Sequence, residues 1–201
     1  MMNKPYAESC DRNRDPILSV IRPLLREHKA VLEIGSGTGQ HAVFFAEHMP
    51  WLTWIASDRQ EHHDGIRQWL AEAGLPNTRG PLLLDVTQAE WSTPDVDAVF
   101  CANVAHIMHW GEVISLFDGV GKLLPAGGRL MLYGPFNYRG EYSSDSNARF
   151  DEWLKARDPE SGIRDFEAVN LLAEKAGLVL EQDHAMPANN RILCWRKPKQ
   201  G

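Results

Sequence analysis

Short apolar runs alternate along the chain with segments in which apolar residues recur every three to four positions. Short runs between turn residues predict buried strands, whereas the longer period predicts helices with one buried face. The predicted strands are 31–34, 52–57, 81–86, 96–104 and 129–133, then a terminal pair at 178–182 and 192–196 around a loop at 185–190. Strands that alternate with helices are typical of a doubly wound, mostly parallel sheet.

The helices are predicted from the same periodicity. Asp15 followed by Pro16 is typical of an N-cap and the first helical position, so residues 1–15 are expected to be irregular. Further helices are predicted over 40–47, 65–73, 113–124 and 166–177. The sequence therefore predicts one domain, 1–201, in which residues 1–30 form an N-terminal cap segment and helix.

The alternation stops between residues 134 and 165. This segment is polar, with a short apolar stripe at Phe150, Trp153 and Leu154. Connections in α/β units are usually short, and a connection of roughly 30 residues is commonly a lid or a binding loop. We therefore predict that residues 134–165 form a lid insertion over a bound small molecule.

Composition and charge narrow the classes of function. The chain has 21 basic and 27 acidic residues, a net charge of −6, without the basic surface that nucleic-acid binding requires. Cys101 and Cys194 lie in apolar runs and are expected to be buried and reduced. No apolar run approaches the roughly 20 residues that span a bilayer, and no apolar signal core begins the chain. We expect a cytoplasmic protein with a small-molecule partner and neither nucleic acid nor membrane; the oligomeric state is not indicated.

The most informative segment is 31–41, VLEIGSGTGQH, which joins the first strand to a helix. Glycine allows positive φ and close approach of a ligand to the backbone, and the following helix offers free N–H groups. The spacing of Gly35, Gly37 and Gly39 is G-x-G-x-G, not the dinucleotide-binding G-x-G-x-x-G. Together with Glu33 in the strand, it resembles motif I of class I S-adenosylmethionine (SAM) methyltransferases. The alternative is a glycine-rich turn in another α/β protein.

Polar residues follow several predicted strands, where the ligand crevice of an α/β sheet lies. Asp58 suits the two hydroxyls of a ribose, although a solvated turn aspartate would have the same pattern. Asp85 is a candidate for the adenine amino group or, equally, for a helix N-cap. Asn103 is a candidate for the methionine part or the edge of the cofactor. Glu33 is expected to order the glycine loop or the N-terminal segment rather than to contact substrate.

Two histidines, His106 and His109, follow the fourth predicted strand. They lack a third ligand at a fixed spacing, so no metal site is predicted. His106 is a candidate general base that faces the substrate. Methyl transfer from a sulfonium needs neither a metal nor a covalent nucleophile, because positioning of the acceptor supplies much of the catalysis. His62 and His63 are expected to be solvated.

Segments along nearly the whole chain resemble the DUF938 group of SAM-dependent methyltransferase-like proteins, related to methyltransferase-like protein 26. They are RNRDPI at 12–17, GSGTGQH at 35–41, FCANVAH at 100–106, YGPF at 133–136, SNARFD at 146–151, RDP at 157–159, GIRD at 162–165 and MPANN at 186–190. The resemblance implies an α/β, Rossmann-like class I methyltransferase fold with a mostly parallel seven-stranded sheet and a C-terminal antiparallel strand. It implies SAM as cofactor but no acceptor. The chain lacks the Asn/Asp-Pro-Pro-Tyr signature of adenine and glutamine N-methyltransferases.

The sequence thus predicts a SAM-dependent methyltransferase that acts on a small-molecule acceptor by in-line displacement. The predicted cofactor-binding residues are Arg12, Asn13, Glu33, Gly35, Ser36, Gly37, Gly39, Asp58, Arg59, Asp85, Val86 and Asn103. The predicted catalytic residues are His106, Tyr133 and Asp151. The predicted substrate-binding residues are Phe136, Asn137, Asn147, Phe150, Arg157, Arg164 and Asn189.

Some of these roles have alternatives. Arg12 and Asn13 are expected near the SAM carboxylate, where an arginine supplies charge-assisted hydrogen bonds. Asn147, Asp151 and Arg157 fit equally a structural role in which they tie down the lid. A non-catalytic SAM- or nucleoside-binding module, a methyltransferase with a protein acceptor, and an NAD-dependent oxidoreductase are the alternative functions. The methylated atom, O, N or S, is not indicated.

Overall fold

The computed structural model describes residues 4–199, and the chain divides into two compact units at Cys101 and Ala102. Residues 1–3 of the predicted cap segment, and 200–201, lie outside the described residues. The prediction of a single domain stays a prediction. None of the helices within 4–199 has the length and apolar character needed to cross a membrane.

The first unit alternates strands and helices. Its elements are α1 (Glu8–Leu24), β1 (Ala30–Ile34), α2 (Gln40–His48), β2 (Thr53–Asp58), a 3-10 turn (Gln60–His62), α3 (His63–Ala73), β3 (Thr78–Leu83) and, at its end, β4 (Ala98–Ala102). The strand order is β3-β2-β1-β4, and each neighbouring pair is parallel. The carboxyl ends of these strands therefore lie at one edge, where the predicted cofactor residues follow them.

The second unit ends in antiparallel strands. Its elements are α4 (Trp110–Leu123), β5 (Arg129–Gly134), β6 (Phe136–Asn137), α5 (Asp145–Arg157), β7 (Arg164–Asp165), α6 (Phe166–Lys175), β8 (Val179–Met186), a 3-10 turn (Pro187–Asn189) and β9 (Asn190–Arg196). Strand β9 lies between β5 and β8 and is antiparallel to both. Besides the short pair β6–β7, the two units contain seven strands that alternate with helices and are in part parallel. The predicted α/β fold class is therefore confirmed.

Each unit has an aromatic core under its strands. In the first unit Phe45, Trp54 and Phe100 are fully buried, with ring centroids 5.2–5.7 Å apart. In the second, Phe117 meets Trp195 edge to face at 5.6 Å. Strands covered on both faces read as continuous apolar runs, which is why β1, β2 and β4 were recognisable. Cys101 and Cys194 are buried and free, as predicted.

Helix α1 begins at Glu8, so the prediction of an N-cap at Asp15 was wrong. Residues 8–15 carry little apolar periodicity, and contacts with α2 hold this turn in place instead. The Ala7 N–H donates to Gln40 Oε1 at 2.6 Å, and Asn13 Oδ1 is 2.7 Å from His41 Nε2. Such tertiary contacts override local sequence signals.

Strand β3 ends at Leu83, so the prediction that Asp85 and Val86 lie within it was wrong. Asn77 fixes the earlier start, because its Nδ2 group donates to the carbonyls of residues 46, 49 and 52. Leu83 is 65% exposed, as expected at a sheet edge. Asp85 and Val86 consequently lie in the connection that follows the strand.

The predicted lid segment, 134–165, is largely ordered structure. It contains the 13-residue helix α5, which carries the predicted apolar stripe, and the short parallel pair β6–β7. Ser144 caps the helix, since its side chain accepts a hydrogen bond from the Asn147 N–H at 3.1 Å. Strands β8 and β9 extend further than predicted and shorten the loop between them to a 3-10 turn.

Candidate functional site

The glycine loop after β1 adopts the conformation that its sequence predicts. Gly35, Gly37 and Gly39 have φ values of 76°, 56° and 93°. A Cβ at Gly39 would lie 3.1 Å from Ile66 Cα, so this glycine lets α2 approach α3. A Cβ at Gly37 would meet no atom of residues 4–199 within 4 Å, so the backbone there is open to a ligand.

Glu33 lies beneath this loop and is 2% exposed. Its Oε2 accepts hydrogen bonds from Ser36 Oγ at 2.9 Å and from Trp54 Nε1 at 3.0 Å. Burial raises the pKa of the Glu33 carboxyl to about 7, against the opposing effect of these two bonds. Ser57 links the loop to β2, because its carbonyl accepts from the N–H groups of residues 35 and 36. Glu33 therefore orders the loop from below, as the sequence led us to expect.

Asp58 ends β2 and points its carboxylate at the glycine loop. Its Oδ2 accepts from the Gly37 N–H and its Oδ1 from the Arg59 N–H, each at 2.7 Å. The side chain is 12% exposed. A carboxylate has about four acceptor positions, so both oxygens retain capacity for ligand hydroxyls. The Asp58 carboxylate can therefore accept further hydrogen bonds at the edge of the sheet.

The residues after Asp58 differ in part from expectation. His63 is buried and its Nε2 lies 3.0 Å from the Asp58 carbonyl, so the prediction that it is solvated was wrong. It begins α3, which turns its ring under the end of β2. Asp85 accepts from both the N–H and the hydroxyl of Thr87, which lowers the pKa of the Asp85 carboxyl. It thus stabilises a turn, close to the alternative capping role, while Val86 is buried beside it.

The side chains of the neighbouring residues Arg12 and Asn13 lie in different surroundings. The Arg12 side chain is 68% exposed and forms an ion pair with Glu8 at 3.0 Å. Asn13 contacts the buried His41 ring, and burial lowers the pKa of His41 to about 4. Asn13 therefore anchors α1 to α2, whereas Arg12 has the freedom to reorient toward an anion.

In the second unit, the polar side chains of Asn103 and His106 approach the end of β5. Asn103 has a φ of 59°, a conformation that asparagine adopts more readily than most residues, and its N–H donates to the Tyr133 carbonyl. A Cβ at Gly134 would lie 3.6 Å from His106 Nδ1 and 3.9 Å from Asn103 Oδ1. Tyr133 itself is 5% exposed within the strand.

The segment 161–164 holds the loop that carries His106. Four consecutive carbonyls of this loop, residues 105–108, accept hydrogen bonds from Arg164 Nε, the Gly162 N–H, Ser161 Oγ and Arg164 Nη2 respectively. Arg164 was predicted to bind substrate, but its guanidinium is engaged with main-chain oxygens, a positioning role. Pattern reasoning missed Ser161 and Gly162, because hydrogen bonds to main-chain carbonyls leave no periodic signal.

The His106 ring is buried, with 5% exposure. Burial, with a smaller effect of the Arg164 charge, lowers the pKa of His106 to about 4. Its ring meets Phe150 edge to face at a centroid distance of 5.4 Å. At neutral pH the imidazole is therefore uncharged.

Helix α5 is tied down by the polar residues that the sequence singled out. Asp151 is 1% exposed, and its carboxylate accepts from Tyr142 Oη, Lys155 Nζ and the Ile163 N–H at 2.6, 2.6 and 2.7 Å. Asn147 Nδ2 donates to the Asn189 carbonyl at 3.2 Å. These contacts favour the structural alternative for Asp151 and Asn147.

A cavity of about 300 Å³ opens beside His106. We call it the aromatic cavity; its walls include His106, Ile107, Phe150, Trp153, Leu154 and Arg157. Of the other predicted substrate residues, Phe136 and Asn137 are buried in β6. Asn137 Oδ1 is without a hydrogen-bond partner among residues 4–199. The cavity thus brings together His106, which was predicted to be catalytic, with Phe150 and Arg157, which were predicted to bind substrate.

The chain is similar to one protein family in sequence and to several solved structures in fold. A family profile described as "Protein of unknown function (DUF938)" matches residues 4–197. Among solved structures, the SAM-dependent methyltransferase SibL in its apo form superimposes with a TM-score of 0.81 and 20% identity, over 95% of this chain and 56% of that chain. Human N-acetylserotonin methyltransferase in complex with SAM gives 0.81 and 16%, over 96% and 53%.

A third structure is an O-methyltransferase family 2 protein from Planctomyces limnophilus in complex with apigenin. Its TM-score is 0.75 at 18% identity, over 84% of this chain and 51% of that chain. The chain therefore spans just over half the length of these proteins. At such identities the likeness shows the fold, which is the Rossmann-like methyltransferase fold.

Proposed function

Since the chain belongs to the DUF938 family, whose own function is unknown, we propose from its fold and site that it is a SAM-dependent O-methyltransferase of small molecules. The observation that carries the proposal is the open glycine loop, whose Gly37 N–H is held by the carboxylate of Asp58. Two structural relatives, SibL and human N-acetylserotonin methyltransferase, are named as methyltransferases, and their names support this type of reaction.

SAM would bind at the carboxyl ends of β1 and β2 in the first unit. Asp58 would accept hydrogen bonds from the ribose hydroxyls, and the backbone of 35–39 would contact the methionine part. Glu33 would act through Ser36, keeping the loop in the conformation that leaves Gly37 open. SAM supplies an activated methyl group when it is bound. The residues of the chain would then orient the acceptor and accept its hydroxyl proton.

His106 would be the general base. In the reaction the acceptor oxygen forms a bond to the methyl carbon while the sulfur–methyl bond breaks. The electron pair of that bond stays on sulfur, which leaves S-adenosylhomocysteine, and the hydroxyl proton moves to His106. A neutral imidazole is the form that can accept it. The 161–164 segment would fix the position of His106 by holding its loop.

The cofactor assignment is tested by calorimetric titration of the purified protein with SAM and, separately, with NAD. We expect SAM to bind and NAD not to bind. Asp58→Ala should weaken SAM binding about 10- to 100-fold, the loss typical of hydrogen bonds to a charged group. Asp64→Ala is the matched control, because Asp64 is an exposed aspartate on α3 that pairs only with Arg67 in the described structure. Unchanged affinity in a folded Asp58 variant would refute the ribose assignment.

A non-catalytic SAM-binding module is the second candidate. It is favoured by Asp151, because the hydrogen bonds to its carboxylate take up a predicted catalytic group. His106 then remains as the principal base. Formation of S-adenosylhomocysteine with a small phenol separates the two. With His106→Gln we expect turnover to fall about 100-fold or more while SAM affinity stays within error. If wild type binds SAM but methylates no hydroxyl compound, the module is the better description.

A further inference from the structure

The walls of the aromatic cavity are flat rings. Phe150 and Trp153 are nearly parallel, with an interplanar angle of 17° and centroids 5.8 Å apart. Trp153 is 50% exposed and Ile107 is 57% exposed, so a large apolar surface faces solvent here. Flat aromatic ligands pack against such ring faces and edges more favourably than flexible polar ones do.

The cavity also holds a positive charge. The Arg157 guanidinium lies over the Trp153 ring, 4.6 Å from its centroid. Arg157 has no ion-pair partner within 4–199, and a guanidinium presents paired donors that match a carboxylate. Its side chain is exposed at the cavity rim, where it can reach a ligand.

The acidic group of the cavity is already engaged. Asp158 Oδ2 lies 2.8 Å from His109 Nε2, and Asp158 Oδ1 accepts from the Glu160 N–H at 3.0 Å. The hydrogen bond from His109 lowers the pKa of Asp158 and, reciprocally, raises the pKa of His109. Glu160 also lies within 3.1 Å of the His109 ring. A cationic ligand would compete with His109 for Asp158, whereas an anionic ligand would pair with Arg157.

We propose that the acceptor is an aromatic acid that carries a hydroxyl group. Its ring would pack against Phe150 and Trp153, its carboxylate would pair with Arg157, and its hydroxyl would lie beside His106. This inference rests on the proposed function for the reaction, but the charge preference of the cavity can be measured without any reaction.

Three matched phenols test the charge preference: 4-hydroxybenzoate, 4-hydroxybenzamide and 4-hydroxybenzylamine, which are anionic, neutral and cationic at neutral pH. Binding is measured by calorimetry with and without S-adenosylhomocysteine, and methyl transfer is measured with SAM. We expect the benzoate to bind about 10-fold or more tightly than the amide, as for a charge-assisted pair, and the amine to bind most weakly. Equal binding of benzoate and amide, preference for the amine, or no binding of any of them overturns the inference.

Two variants assign the effect to Arg157. Arg157→Gln should reduce benzoate binding to the level of the amide and leave amide binding unchanged. Arg149→Gln is the control, because it removes the same charge from an exposed position of α5 outside the cavity. If both variants weaken benzoate binding equally, the effect is general electrostatics and the assignment fails. Lack of SAM binding would refute the proposed function while the phenol binding still decides this inference.

Discussion

Replacing Glu33 by glutamine is expected to remove a pH dependence of folding stability. Glu33 is buried, and its Oε2 accepts from Ser36 and Trp54. Desolvation raises the pKa of its carboxyl from 4.5 to about 7, and the charge of Asp58 adds to the rise. Glutamine has nearly the same shape, and its Oε1 can accept both hydrogen bonds. The substitution therefore removes the titration with little change in packing.

The size of this pH dependence follows from the difference between the pKa of Glu33 in the folded protein and its pKa in the unfolded chain. Between pH 4.5 and about 7 the unfolded chain has released the Glu33 proton while the folded chain retains it. Stability therefore falls as the pH rises through this window and changes no further above it. Because each unit of pKa corresponds to about 1.4 kcal/mol, the full loss is about 3 kcal/mol. The glutamine variant lacks this loss.

The assay is urea unfolding of both proteins between about pH 4.5 and 8. His41 and His106, with pKa values lowered to about 4, give the opposite slope below their ordinary range. Both proteins contain them, so the difference between the two curves isolates Glu33. We expect the variant to gain about 3 kcal/mol relative to wild type from the acid end to neutral pH.

A matched control is Glu47→Gln, which makes the same substitution at an exposed glutamate on α2. Parallel curves for wild type and Glu33→Gln would refute the reasoning. They would mean that the folded protein ionises Glu33 as readily as the unfolded chain does.

Three further predictions concern the second unit. The kcat/KM of wild type should hold steady as the pH falls through 6.5 and decline only near 4, the lowered pKa of His106; a decline centred near 6.5 would contradict its burial. Gly162→Ala should destabilise the fold by roughly 1–3 kcal/mol, because φ is 156° and a Cβ would lie 2.9 Å from Asp151 Oδ1. Gly111→Ala on α4, where a Cβ would meet no atom of the described residues within 4 Å, is its control and should be neutral or stabilising in thermal unfolding. Arg164→Gln should lower the melting temperature and kcat while SAM affinity is kept; an unaffected kcat would exclude a positioning role.

Most strands and helices were predictable because their signals are local. The apolar runs of β1, β2 and β4 and the stripe in α5 match the observed elements to within a few residues. The starts of α1 and β3 were not, because Ala7 and Asn77 are fixed by hydrogen bonds to residues more than 20 positions away. Periodicity does not record such bonds.

The candidate site divides in the same way. The glycine loop and Asp58 could be recognised, since a special backbone conformation demands glycine and a strand end places its next polar residue at the sheet edge. The roles of Ser161, Gly162 and Arg164 could not, because they hold carbonyl oxygens that every residue type carries. Nor could the burial of His63, since neighbouring histidines have the same sequence signal whichever side they face.

The sequence by itself determined the alternation of strands and helices, the positive φ of the glycine loop and the acidic group after β2. These depend on chain stereochemistry and on the hydrophobic effect acting over short segments. Only the tertiary structure decided which carboxylates are engaged in hydrogen bonds and how far the pKa values of Glu33 and His106 depart from their ordinary values. It also decided that Arg157 lies over Trp153. Desolvation and pairing depend on neighbours brought together by folding, and these neighbours are not adjacent in the sequence.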